Sequence, residues 1–222
     1  MNIVYYQYFE YASFIIAIMC YRGLKTLSIA WFIAFIFLEC LADTLGENYM
    51  RWGLNTLTKR DEDYLIYNPY LILSTPVLLY LFGKMLNLSG RQKKIFIFSC
   101  VLIVTLIIIN YVAGEGLYNF NTRSLLLIAL STIFLSVFVL LKLSMEENRV
   151  ITLFKEPYFW INAFLLLFAL GELVLGLQGY IQVNNIQVFG QSIYTLIMGI
   201  LNVFLSSALS FAFILCQISA SK

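Results

Sequence analysis

Leu27–Gly46 reads LSIAWFIAFIFLECLADTLG, a mostly apolar run that, as one helix, is long enough to cross a hydrocarbon core of about 30 Å. Two acids interrupt it. Glu39 and Asp43 stand four residues apart and so share a helix face. A carboxylate at membrane depth costs about 3 kcal/mol or more and is tolerated only against protein or water. This helix therefore needs neighbours to shelter that face, and the rest of the chain supplies them.

Of the 222 residues, 61% are hydrophobic and 12% charged, about half the charged share of soluble domains. One domain over 1–222, an all-α integral membrane bundle, accounts for the whole length. A net charge of +2, with no basic run that resembles a phosphate-tracking stripe, gives no sign of nucleic-acid binding. Histidine is absent, which removes imidazole acid–base chemistry, His-activated nucleophiles and imidazole metal ligation. Cys20, Cys40, Cys100 and Cys216 each lie inside an apolar run and read as packing residues rather than a disulfide framework. The start, MNIVYYQYFEYASFIIAIMC, lacks a basic leader and carries Glu10, so it reads as a first span and not as a signal peptide.

Seven apolar stretches follow one another, at about 3–21, 27–46, 64–86, 94–113, 122–144, 157–178 and 192–217. With the N-terminus outside, the cytoplasmic segments hold Arg22, Lys25, Lys84, Arg91, Lys93, Lys94, Lys142, Arg149, Lys155 and Lys222. The outer segments then hold only Arg51, Lys59, Arg60 and Arg123. Basic residues favour the cytoplasmic side, so the expectation is N-terminus out and C-terminus cytoplasmic. Among the links, 47–63 is the longest and has room for an interfacial helix near Trp52. Tyr180–Phe189 (YIQVNNIQVF) alternates about Asn184-Asn185 and allows a short outer β-hairpin. Pro76, behind Ser74 and Thr75, predicts a kink in the third span. Ser206/Ser210 and Ala208/Ala212 recur at four-residue spacing, which lets helices approach closely and puts the seventh span at the bundle's centre.

With that orientation, polar groups gather on the outer side. Glu39 and Asp43 lie about 18 and 24 Å up their helix, Glu172 similarly far up the sixth, and Asn110 and Tyr111 near the outer end of the fourth. Glu10 stands about two turns in from the outer end of the first, close enough to snorkel to the interface. Every tyrosine except Tyr21, Tyr80 and Tyr158 falls at the outer end, a one-sided skew that differs from the paired aromatic belts of membrane helices. An outward-facing cavity lined by Glu10, Glu39, Asp43, Glu172, Asn110 and Tyr111 accounts for it, and its acids suit a small cationic or polar ligand from outside. Their oxygen donors would suit Na⁺ or Ca²⁺ over zinc. No resident metal and no cofactor are expected.

Several chemistries are excluded. The seventh span has no lysine for a retinal Schiff base, and Asp43 is the only embedded Asp, where an intramembrane aspartyl protease needs two. Glu146-Glu147-Asn148-Arg149 lacks the spacing and the histidines of membrane CAAX-type proteases and reads as solvated loop. An enzyme is not expected.

The sixth span opens Pro157-Tyr158-Phe159-Trp160-Ile161. This resembles the "P-x-F-W-I" opening of small seven-helix bacterial membrane proteins of unassigned function, often encoded beside sensor histidine kinases. The resemblance implies a bacterial inner-membrane location and a signalling accessory role, with no defined ligand residues. Sugar transporters of the SWEET type share the span count and orientation, but the prolines here, at 69, 76 and 157, follow no internal repeat. The expected function is a non-enzymatic, receptor-like membrane sensor. Its cytoplasmic links are too short for an output domain, so it acts through a cytoplasmic or membrane partner protein. A small-solute or ion transporter and a structural subunit of a membrane complex are the alternatives.

Overall fold

The computed structural model describes residues 5–49, 52–53, 64–116, 119, 121–145, 153–181, 187–188 and 191–220. The helices are α1 (Tyr5–Met19), α2 (Tyr21–Thr26), α3 (Phe32–Glu47), α4 (Tyr64–Leu86), α5 (Gly90–Ala113), α6 (Thr122–Met145), α7 (Pro157–Ile181) and α8 (Ile193–Ala220). Five of them, α4 to α8, are long and apolar enough to cross a membrane. By that length and composition the chain is a multi-pass helical membrane protein.

Apolar runs become helices here because in lipid every backbone N–H and C=O must find its partner within the segment. Where a run breaks, a local cause is visible. The first stretch, expected at 3–21, is α1 at Tyr5–Met19, and the link after it holds a further short helix, α2, beyond a turn at Cys20. The second begins at Phe32 rather than Leu27. Ser28 takes a positive φ of 60°, a conformation that no L-residue continues into a helix, and its N–H bonds to the Lys25 carbonyl at 3.0 Å. Leu27–Trp31 is thus a turn joining α2 to α3. The other long helices keep the expected places with ends shifted by up to four residues. α4 runs on through Pro69 and Pro76. The interfacial helix expected near Trp52 falls largely on residues outside those described. In the link before α8, Tyr180 and Ile181 are helical, and a two-residue antiparallel pair lies further on, Gln187 opposite Ser192 and Val188 opposite Gln191. Asn184-Asn185 lie outside the described residues.

Packing runs in a closed ring: α1 on α3, α3 on α4, α4 on α6, α6 on α7, α7 on α8, and α8 back on α1. α5 stands outside this ring, laid against α4 and α6, and most of its surface is exposed. α8 touches α1, α2 and α7, and its small residues do face the packing, with Ser206, Ala208 and Ala212 buried. The main apolar core occupies one half of the bundle. It joins Leu24 of α2, Phe32 and Ile36 of α3, Leu81, Phe82 and Met85 of α4, Leu143 of α6, Ile161 of α7 and Phe213 of α8. This half also carries the basic residues Arg22, Lys25, Lys84, Arg91, Lys93, Lys94 and Lys142 near its rim, and it is called the basic end below. Lys142 of α6 reaches the Leu86 carbonyl at the end of α4, a favourable place for a cation at a helix C-terminus. Tyr158 of α7 donates to the Leu27 carbonyl at 2.9 Å and fixes the α2–α3 turn across the bundle.

α2 closes this end against α8. A Cβ on Gly23 would stand 2.5 Å from the Gln217 nitrogen and 2.6 Å from the Cys216 carbonyl carbon, both backbone atoms that cannot swing aside. The Gly23 N–H also donates to Gln217 Oε1 at 3.0 Å. Gly23→Ala is therefore expected to push α2 off α8 and to destabilise the bundle by about 1–3 kcal/mol, read as a lowered Tm in detergent. Gly171→Ala, whose Cβ meets only the Leu201 side chain, should cost less.

Candidate functional site

Above the apolar core, at the end of the bundle where α1 starts, buried polar side chains take over: Gln7 and Glu10 on α1, Glu39 on α3, Asn48 just after α3, Asn68 and Ser74 on α4. Four acids from three helices belong to this region. Glu10 is fully buried and does not snorkel to the surface; Glu39 is 8% exposed; Asp43 and Glu172 are half-buried. The charges of Asp43 and Glu172 act on Glu39, so α3 and α7 bring their acids within electrostatic reach of each other across the ring. Tyr70 of α4 feels Glu39, Asp43 and Glu172 together, and its hydroxyl is hydrogen-bonded to the Ser74 side chain. Glu10 joins the same neighbourhood at Cys40, which also feels Glu39 and Asp43.

Cross-bonds between α1 and α3 hold these positions. Gln7 Nε2 donates to the Asp43 carbonyl at 3.1 Å. Tyr11 Oη and Thr44 Oγ1 are 2.6 Å apart, and Thr44 Oγ1 in turn reaches the Cys40 carbonyl at 2.5 Å. Asn48 Nδ2 donates to the Thr44 carbonyl at 2.9 Å. On the far side of α1, the Tyr5 and Tyr6 rings pack edge to face, 5.8 Å apart. Tyr5 also lies against Gly199 of α8, where a Cβ would meet its hydroxyl. Because α3 starts at Phe32, Glu39 stands about 10 Å along it, near mid-length rather than about 18 Å up. The acid pair is thus deeper in the bundle than a helix from Leu27 would put it.

The structure brings together Glu10, Glu39, Asp43 and Glu172, and adds Tyr70, Ser74 and Cys40. Asn110 and Tyr111 lie elsewhere, on the peripheral α5. Asn110 Nδ2 is within hydrogen-bond reach of Glu115 Oε2 at 2.8 Å, Ser124 Oγ at 2.9 Å and Asn121 Oδ1 at 3.1 Å. Glu115 Oε2 also accepts the Arg123 N–H at 3.0 Å, and Asn68 of α4 donates to the Asn119 carbonyl at 2.9 Å. This network ties α4, α5, α6 and the loop between α5 and α6 into one clamp. Arg51, Lys59 and Arg60 lie outside the described residues. Surface grooves lie between α4 and α5 and across Phe14, Trp31 and Phe37, and neither of these is lined by an acid. The four cysteines are free thiols, three of them buried. Among the described residues no cluster of three or more metal-ligating side chains occurs.

No family model, curated protein or solved structure matches the chain. What the geometry defines is a class: a polytopic helical membrane protein with a half-apolar, half-polar interior and an acid cluster in the polar half.

Asn110→Ala removes the donor at the centre of the clamp and leaves its acceptors partly buried. We expect a loss of about 1–3 kcal/mol in stability, measured as a lower Tm, with the acid cluster undisturbed because α1, α3 and α7 do not take part in the network.

Proposed function

We propose that this chain is a seven-span receptor-like sensor of the plasma membrane, with the N-terminus outside and the C-terminus cytoplasmic, and non-enzymatic. In this reading α1 and α3, about 22 and 24 Å long, complete the seven crossings begun by the five longer helices. The location is the bacterial inner membrane that the Pro157–Ile161 resemblance implies. The observation that carries the reading is the convergence of Glu39, Asp43 and Glu172 on Tyr70, in the middle of a ring of helices. Asp43 and Glu172, whose charges act on Glu39, are acidic like it, so a cationic guest entering among them would relieve their mutual repulsion and the cost of burying them. The apolar core beneath gives such a guest a binding place without an exit to the other side. That favours sensing over passage.

With short cytoplasmic links and no room in them for an output domain, the signal passes to a partner protein. The basic end, ringed by Arg22, Lys25, Lys84, Arg91 and Lys142, is where such a partner docks. A transporter is the second reading. It draws on the buried side-chain oxygens of Ser136, Asn162 and Asn202, which are without hydrogen-bond partners among the described residues and continue the polar lining downward.

The purified full chain should gain Tm with at least one member of a cation series: Na⁺, Ca²⁺, choline, putrescine and spermidine. Glu39→Gln and Glu172→Gln should each abolish that gain while leaving the ligand-free Tm unchanged or higher, because a buried carboxylate is costly to fold around. A purely structural acid pair would instead lower the ligand-free Tm by about 1–3 kcal/mol equivalent in each variant. Flux of the stabilising cation through liposomes containing the chain alone would replace the sensor reading with the transporter one.

A further inference from the structure

Between α4 and α5 a cleft of about 570 Å³ opens on the outside of the ring, within the roughly 300–1,000 Å³ range of ligand pockets. Along α4 it runs from Pro76 to Asn87, and along α5 from Lys93 to Thr105. Each span is about 17–18 Å at 1.5 Å per residue, close to the ~15 Å hydrocarbon depth of one leaflet. Its chemistry is graded along that length. Lys84 from one wall and Lys93 from the other stand at the mouth, beside Asn87, whose φ of 45° ends α4. Lys84 Nζ lies 5.3 Å from the centre of the Tyr80 ring. Deeper in, the walls are Leu79, Phe96, Val101 and Val104, with the Thr105 hydroxyl at the far end. Gly83 shapes the floor: a Cβ there would stand 2.9 Å from the Phe96 ring, so the glycine lets α5 lie close beneath the opening.

We infer that this cleft is a binding site for an anionic phospholipid, its phosphate held between Lys84 and Lys93 and one acyl chain lying along the apolar walls toward Pro76 and Thr105. Two cations at the interface end and an apolar channel one leaflet long match a lipid with a charged head and a hydrocarbon tail. A partner helix fits less well. An apolar helix lying in the cleft would leave the two lysines without a counter-charge. The site is separate from the acid cluster and stands whether or not that cluster binds a cation.

The test uses the full chain in nanodiscs of phosphatidylcholine doped with phosphatidylglycerol, then released into detergent and weighed by native mass spectrometry. One phosphatidylglycerol should remain bound per chain, and phosphatidylcholine should not. The double variant Lys84→Gln/Lys93→Gln should retain it roughly 30-fold more weakly, taking about a factor of five per lysine. Val101→Trp, which blocks the apolar channel from a lipid-exposed position and leaves the lysines in place, should weaken retention comparably. Arg91→Gln/Lys94→Gln, two cations at the same end that do not line the cleft, should change it less than about twofold. Soluble glycerol phosphate should not compete. Equal retention of the two lipids, a matching loss in Arg91→Gln/Lys94→Gln, wild-type retention in Val101→Trp, or competition by glycerol phosphate would each overturn the proposal.

Discussion

A carboxylate buried at membrane depth must be surrounded, and the bundle is built to that requirement. Glu39 cannot face lipid without a cost of about 3 kcal/mol or more, and it is 8% exposed. Sheltering it takes α1 and α4 on either side of α3, and α7 across from it. Once these are placed, α6 and α8 follow as the elements that close the circle. α5, which has no embedded acid, is left outside.

The two halves of the interior divide the work. Phenylalanine, leucine and isoleucine fill the basic end, where apolar packing is joined by a few hydrogen bonds from Tyr158, Lys142 and the Gly23 N–H. The other end substitutes hydrogen bonds for part of that packing: Gln7 and Tyr11 of α1 bond to Asp43 and Thr44 of α3, while Asn68, Asn110, Asn121 and Ser124 link α4, α5 and α6. In lipid such bonds are worth no more than about 1–2 kcal/mol each. The polar half is therefore the softer one, and it is the half where the acids sit.

Much of this was legible in the sequence. Apolar runs located the long helices to within a few residues, because span length is dictated by bilayer thickness and backbone satisfaction. Glu39, Asp43 and Glu172 announced themselves by being acids in such runs, and the four-residue repeat of Ser206, Ala208, Ser210 and Ala212 marked α8 as a packed helix. The break at Leu27–Trp31 was not legible: no glycine or proline marks it, and the turn is held by Ser28 at positive φ and by Tyr158, which is 131 residues away. Asn110 looked like a cavity-lining group because its partners, Glu115, Asn121 and Ser124, become neighbours only after the chain folds back. A cluster of asparagines after the helix end was the available clue. Tyr70 and Ser74 were hidden among many outer tyrosines and serines, since proximity to an acid on another helix leaves no local trace.

The ring described above joins the first long helix to the last. During synthesis α1 leaves the ribosome long before α8 exists, so the seam between them can form only once the chain is complete. Until then Glu10 and the face of α3 lack one wall of their enclosure, and the nascent protein must keep its acids beside water, lipid headgroups or the insertion machinery. Loop-closure entropy falls on that final event. A chain cut short before α8 would thus be more than one helix smaller: it would be an open crescent with its most expensive residues turned to the bilayer.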